Sequence, residues 1–372
     1  MTVSYRIGFF IEQILGHRTH GLNLRRFIQD AADVDAQWAW ISWQSGTLAD
    51  RLPLLRSNWT LRSGWQARRA LAAMQREKAL DAVFFHTQVP AVLSQDWMRQ
   101  IPGIVSLDAT PRQYDSLGSY YDHQGSAEWL ENFKWRLNRD CFHTARALVT
   151  WSRWARDGLV AEYEVQPERV HVIPPGVDVQ AWQSDRAREP EDVIRILFVG
   201  GDFERKGGRL LLEVFRSLRD TFPVNLELHL VTRAVLAPEK RVIVYNDLQP
   251  NSPELKDLFH SAHIFCLPTF GDCLPVVLAE AGAAGLPSVS TDVGGIAEIV
   301  QDGRTGYLIL PGDGNALYTA LAQLISDPQL RCRQSAAAYE WIRQNFDARR
   351  NAGRLLDLIK QIIDTERARR SQ

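Results

Sequence analysis

Along the chain, short runs of consecutive apolar residues alternate with longer segments in which apolar positions return every three or four residues. Continuous apolar runs are the mark of strands buried on both faces, and helical-period segments between them are crossovers, so the pattern predicts parallel sheets. In the first half the strand candidates are Tyr5–Phe10, Trp38–Trp43, Ala82–His86, Gly103–Leu107, Ala147–Trp151 and Val170–Ile173. In the second half they are Arg195–Val199, Leu226–Val231, Val242–Tyr245, Ile264–Leu267, Ser288–Ser290 and Tyr307–Leu310. Two successive α/β domains follow. Between them lie Pro174-Pro175-Gly176 and a polar stretch from Gln183 to Asp192, which is the linker candidate. After Ala316 the chain reads mostly as helix, and Arg349–Ile363 carries an amphipathic stripe of Leu355, Leu356, Leu358, Ile359, Ile362 and Ile363.

The length of 372 residues agrees with two domains. With 43 basic against 44 acidic side chains, no global charge draws the chain to nucleic acid. Its four cysteines form no CxxC pair, so neither a disulfide framework nor a zinc site is indicated, and a reducing compartment fits. Glu12 and Gln13 break the apolar stretch Ile7–Leu15, which argues against a signal peptide. No run reaches the roughly 18 apolar residues a membrane span needs. A soluble cytoplasmic protein is expected, with peripheral membrane contact left open by one feature. From Arg51 to Lys78 there are seven basic residues and one acid, interleaved with Trp59 and Trp65. Such a segment suits an anionic membrane surface, or is a solvated helix face over a buried stripe.

The sharpest chemistry lies in Phe270-Gly271-Asp272-Cys273-Leu274-Pro275-Val276-Val277-Leu278-Ala279-Glu280-Ala281-Gly282, which follows a strand and opens a helix near Pro275. A helix N-terminus offers free N–H groups and a positive dipole end to a diphosphate. Asp272 before the helix and Glu280 within it would accept hydrogen bonds from hydroxyls on either side of that phosphate. Upstream, Phe198-Val199-Gly200-Gly201-Asp202-Phe203-Glu204-Arg205-Lys206-Gly207-Gly208 combines glycines that permit close backbone approach with cations that stabilise a departing diphosphate. It has neither the P-loop nor the dinucleotide-binding glycine spacing.

These segments, with Gly285-Leu286-Pro287, Asp292-Val293-Gly294-Gly295 and Gly303-Arg304-Thr305-Gly306-Tyr307, resemble the donor-binding half of the retaining glycosyltransferases of family four. The resemblance implies the GT-B fold: α/β, two Rossmann-like domains with parallel sheets facing a central cleft. It divides the chain into an acceptor-binding domain (1–182), a nucleotide-sugar-binding domain (183–345) and a helix (346–372) crossing back to the first domain. It implies transfer of a sugar from a nucleotide-diphosphate sugar to a polysaccharide, glycolipid or small-molecule acceptor, with no metal and no further cofactor. The family's pair of glutamates separated by seven residues stands here as Asp272 and Glu280, placing Asp272 at the transferred sugar and Glu280 at the ribose. Lys206 and Arg205 take the phosphates, although the place directly after the first glycine, where the family commonly has arginine, is Gly201. Gly21, in Gly16-His17-Arg18-Thr19-His20-Gly21-Leu22-Asn23-Leu24, would let a loop close over the phosphates. Base contacts fall near Thr232 and Leu248, and backbone contacts at Gly200, Gly271, Cys273, Leu274 and Pro275.

In the first domain Asp108 follows an apolar strand and is a candidate active-site acid. Many relatives carry His-Asp there, whereas Leu107 precedes Asp108, so His86, ending the previous strand, is the candidate for the histidine role. Two other readings remain: a non-catalytic nucleotide-sugar-binding partner with this fold, and a nucleotide-sugar epimerase. His17 and His20 have metal-ligand spacing but no accompanying carboxylate or cysteine cluster.

Overall fold

The computed structural model describes residues 4–13, 17–42, 58–117, 127–183 and 193–372. Gly16, Trp43, Arg51, Arg56 and the linker stretch from 184 to Asp192 lie outside them. Contacts divide the chain into two compact units, one within Met1–Ser116, Gln124–Gly176 and Ala348–Gln372, the other within Val177–Asp347.

The first unit is built on strands β1 (Tyr5–Glu12), β2 (Val34–Ile41), β3 (Ala82–Phe85), β4 (Gly103–Leu107), β5 (Ala147–Thr150) and β6 (Val170–Val172), paired in parallel in the order β2-β1-β3-β4-β5-β6. Successive side chains of a strand leave opposite faces, and the core divides accordingly. Phe10, Val83, Phe85 and Val105 pack on one face with Ala67, Leu71 and Phe142. Ile7, Phe9, Ile11, Phe84 and Ile104 pack on the other with Leu24, Ile28 and the C-terminal helix Ala348–Arg370. That helix contributes Leu355, Leu356, Ile359 and Ile363, with Leu358 and Ile362 half-buried at the edge, which is the predicted stripe. Its polar flank adds Lys360 to Asp33 and Arg367 to Asp81, each at 2.7 Å.

The helix Trp59–Glu77 buries Arg62, Ser63, Gly64, Ala67 and Leu71. Arg68 pairs with Asp96, and Arg69 lies 5.6 Å over the Trp65 ring. No helix among the described residues is long and apolar enough to cross a membrane.

The second unit repeats the plan with β7 (Val193–Val199), β8 (Asn225–Val231), β9 (Val242–Tyr245), β10 (Ile264–Leu267), β11 (Ser288–Thr291) and β12 (Gly306–Ile309). The sheet is parallel throughout, in the order β12-β11-β10-β7-β8-β9. Phe198, Leu228, Leu230, Phe259 and Phe265 are buried in its core. The short helix Val179–Trp182 belongs to this unit, where Trp182 meets Phe259 edge-on at 5.0 Å.

In both sheets the winding reverses once. The chain runs outward from β1 to β2 and then restarts on the other side at β3, and likewise from β7 through β8 and β9 before restarting at β10. At such a point the loops after two neighbouring strands diverge and leave a crevice at their carboxyl ends.

Because Ile359 is fully buried between the C-terminal helix and the first sheet, Ile359→Ala should cost about 2–5 kcal/mol of stability in urea unfolding. The exposed Gln361→Ala on the same helix should change it by less than about 0.5 kcal/mol.

Candidate functional site

In the second unit the reversal point gathers the predicted residues from two loops. After β7 come Gly200, Gly201, Arg205 and Lys206. After β10 come Gly271, Asp272, Cys273, Leu274 and Pro275, and then the helix Val276–Ala283. The loops are laced together by backbone and side chain. Phe270 N–H donates to the carbonyl of Arg205 at 2.9 Å, and the Arg205 Nη1 donates to the carbonyl of Gly271 at 2.7 Å. Gly207 holds φ +77°, and a Cβ there would stand 2.0 Å from the Pro268 carbonyl oxygen, so only glycine fits the crossing. On the other side Gly295 N–H donates to the carbonyl of Cys273 at 2.7 Å, and Gly294, at φ +56°, leaves room for the carbonyl of Asp272. The segment bearing Asp272 is therefore pinned from both flanks.

Lys206 Nζ forms an ion pair with Asp272 Oδ2, and both side chains are largely shielded, 15% and 13% exposed. Burial, and next the Arg205 guanidinium, pull the Lys206 ammonium down to about 7, while Cys273 and Asp202 hold it up. The carboxylate of Asp272, in contact with Nζ, favours the charged form against that burial. Arg205 is committed twice, through Gly271 and through Asp202, whose Oδ2 accepts from Nε at 3.1 Å.

The helix Val276–Ala283 begins at Pro275 with no side-chain cap, and the first N–H groups of a helix have no partner inside it. Proline therefore takes the cap position, one residue before the helix. Cys273 and Leu274 are buried beneath this end. Glu280, one to two turns on, is buried at 7% exposure, and burial pushes its carboxyl up to about 7 against a smaller opposing effect of Lys256. No hydrogen bond to that carboxyl occurs among the described residues. Thr232, after β8, is buried; its carbonyl accepts from Asn246 Nδ2 at 2.9 Å, which joins the ends of β8 and β9. Leu248 follows, half-buried.

Arg233 escaped the sequence reasoning. Its Nε lies 3.6 Å from where a Cβ on Gly201 would sit, so a guanidinium from the loop after β8 occupies the space beside the glycine. The signal was the cation directly after Val231-Thr232, legible only once β8 is known to neighbour β7.

In the first unit the reversal point holds a histidine cluster. His17 and His20, on the helix His17–Ile28, and His86, after β3, surround Trp151, with ring centroids 4.9–5.5 Å from the indole. His17 Nε2 lies 3.7 Å from Asp108 Oδ2. The histidine beside Asp108 is thus His17, whereas His86, fully buried, stands behind it with ring centroids 5.3 Å apart. Asp108 is not the local cap: that place belongs to Thr110, whose Oγ1 accepts from Gln113 N–H at 3.0 Å. Among the described residues both nitrogens of His86 and the Nδ1 atoms of His17 and His20 are buried without hydrogen-bond partners. Burial, and then the neighbouring imidazoles, drive His20 down to about 3 and His86 well below the usual range, so both are neutral. No group of three potential ligands suited to a metal occurs among the described residues.

Gly21 is a correction. It sits inside the helix His17–Ile28, buried, and a Cβ there would stand 2.3 Å from Ile11 Cγ2. Its small size serves close packing of helix on strand, not closure of a loop.

Glu280 gives a pH test. A folded-state value near 7 against 4.5 for a solvated carboxyl means that the folded chain holds a proton the unfolded chain releases. The contribution of Glu280 to stability should therefore fall as pH rises from about 4.5 to about 7 and be level above it. Glu280→Gln should remove that fall and exceed the parent by about 1–3 kcal/mol at pH 8 in urea unfolding.

Comparison with known proteins places this architecture. Residues 25–181 match the model described as Glycosyltransferase Family 4, and residues 194–327 match Glycosyl transferases group 1. The chain is 27% identical over 315 residues to D-inositol 3-phosphate glycosyltransferase of Corynebacterium glutamicum, covering 68% of this chain and 73% of that protein. It is 30% identical over 194 residues to MMP alpha-(1->4)-mannosyltransferase of Mycolicibacterium hassiacum, covering 49% of this chain and 46% of that relative. The chain spans about half the length of several such relatives. In fold it is similar to sucrose-phosphate synthase of Thermosynechococcus elongatus, with TM-score 0.77, 16% identity and coverage of 97% and 100%. It is also similar to HepE of Anabaena in complex with UDP-glucose, with TM-score 0.69, 15% identity and coverage of 96% and 99%. With two parallel α/β units of this topology and both family models matched in chain order, the chain belongs to the glycosyltransferases of family four, group 1, with the GT-B fold.

Proposed function

We propose that the chain transfers a sugar from a nucleotide-diphosphate sugar to an acceptor hydroxyl with retention at the anomeric carbon. The observation that supports this most is that Lys206 meets Asp272 and Arg205 meets Gly271 just before an uncapped helix N-terminus, with Glu280 buried within that helix. Lys206, Arg205, Arg233 and the N–H groups after Pro275 would face the diphosphate, and Gly200, Gly201 and Gly271 let its oxygens approach the backbone. Charge grows on that diphosphate as the bond to the anomeric carbon breaks, so these groups act most on the transition state. No metal is needed to neutralise it.

Glu280 would accept from the ribose hydroxyls and Asp272 from the transferred sugar, with the base resting near Thr232 and Leu248. As the acceptor oxygen bonds to the anomeric carbon on the face the diphosphate leaves, its proton passes to a leaving phosphate oxygen. The first unit would hold the acceptor, with Asp108 and its neighbour His17 meeting a reacting hydroxyl and His86 supporting them. A peripheral contact of that unit with an anionic membrane belongs to the same proposal, supported by Trp65 and Arg69 on the outer face of their helix.

Thermal unfolding against UDP, GDP, ADP and dTDP, each with and without a common sugar, tests the donor assignment. A ligand specific to the folded chain adds about 2.7 kcal/mol at one hundred times its dissociation constant. One nucleotide should shift the transition, and Lys206→Ala should abolish the shift while still unfolding in one cooperative transition, at a lower midpoint because Asp272 loses its partner. A Lys206→Ala variant that keeps the full shift removes the phosphate assignment. D-inositol 3-phosphate, named in relatives, is the first acceptor to supply.

A further inference from the structure

We propose that the Lys206–Asp272 ion pair makes the second unit prefer an intact nucleotide-diphosphate sugar over the free nucleoside diphosphate that transfer leaves behind. The inference rests on the donor site proposed above and concerns how its charges are already engaged. Arg205 holds Gly271 and Asp202, and Lys206 holds Asp272. Lys206 lies over Gly200, its Cβ 3.0 Å from where a Cβ on that glycine would be, so the glycine leaves the room that the lysine stem occupies. Asp272 hangs from a backbone pinned by Arg205 on one flank and by Gly294 and Gly295 on the other. Both side chains are largely shielded from water where they meet.

A diphosphate that takes the ammonium must therefore take it from Asp272. Removing one partner of a shielded pair leaves the other charge uncompensated, and that penalty is larger than the pair's own net contribution. A free nucleoside diphosphate brings nothing to the abandoned carboxylate. An intact donor brings hydroxyl groups on the transferred sugar, which donate to Asp272 as Lys206 turns to the phosphates. The cost of opening the pair thus falls on the product and is offset for the substrate. Once the sugar has left, Asp272 recaptures Lys206 and weakens the hold on the diphosphate.

Calorimetric titration of wild type, Asp272→Asn and Asp272→Ser with UDP, GDP, UDP-glucose and GDP-mannose tests this. Both variants should bind the accepted free nucleotide about tenfold more tightly than wild type while gaining nothing for its sugar ester, so the preference for the ester falls by about that factor. A single cooperative melting transition without ligand shows that each variant is folded. A preference equal to wild type in both variants overturns the inference and leaves the donor site standing, as does equal weakening of both ligands. Wild type that binds none of the four ligands overturns the donor site and this inference with it.

Discussion

A parallel sheet that winds outward in both directions must reverse somewhere, and both units of this chain depend on that one reversal. At the β7–β10 pair the loops that follow the two strands would separate if nothing joined them. Gly207 lets them cross: its positive φ brings the backbone against the carbonyl of Pro268, and Arg205 then reaches the carbonyl of Gly271. This crossing brings Lys206 to Asp272, 66 residues further along the chain. Any side chain at 207 would push the loops apart and dissolve the site without touching a charged group.

The first unit obeys the same rule with different chemistry. Its reversal at β1–β3 collects aromatic and imidazole rings instead of cations. Four buried ring nitrogens without partners are an unusual feature for a packed interior, because an unmade hydrogen bond at a buried polar atom costs about 1–3 kcal/mol. His20 and His86 stay neutral because burial and the neighbouring imidazoles oppose charge. Neutral imidazoles donate and accept without bringing a charge, which suits hydroxyl groups better than phosphates.

What was legible in the sequence follows from how each feature is encoded. Central strands such as β3 and β10 are buried at every position, so they appear as unbroken apolar runs and their ends fall within a residue or so of expectation. The edge strand β2 starts at Val34, four residues before the predicted start, because Asp35 and Gln37, hydrogen-bonded to each other and with Asp35 paired to Arg6, interrupt the apolar run. The helix His17–Ile28 was hidden by Gly21 and the polar residues before it, which read as a loop. Its glycine answers instead to Ile11, a contact no local pattern expresses. Arg233 and His17 were present as residues but not as neighbours of Gly201 and Asp108, since only strand order makes them so.

The acid that opens the helical motif is short by one methylene, and the ion pair gives that shortness a physical meaning. A longer acid from the same pinned backbone would carry its carboxylate further into the crevice, whereas aspartate holds it against the lysine that emerges from the neighbouring loop. The pair is shielded, so its strength depends on geometry more than on salt. A binding site for a dianion faces two demands that conflict: it must gather positive charge, and it must remain stable when that charge has no anion. In the proposed donor site the resident carboxylate would answer the second demand, and exchange of that carboxylate for the ligand would meet the first. A site arranged so is selective for whichever ligand compensates the displaced acid.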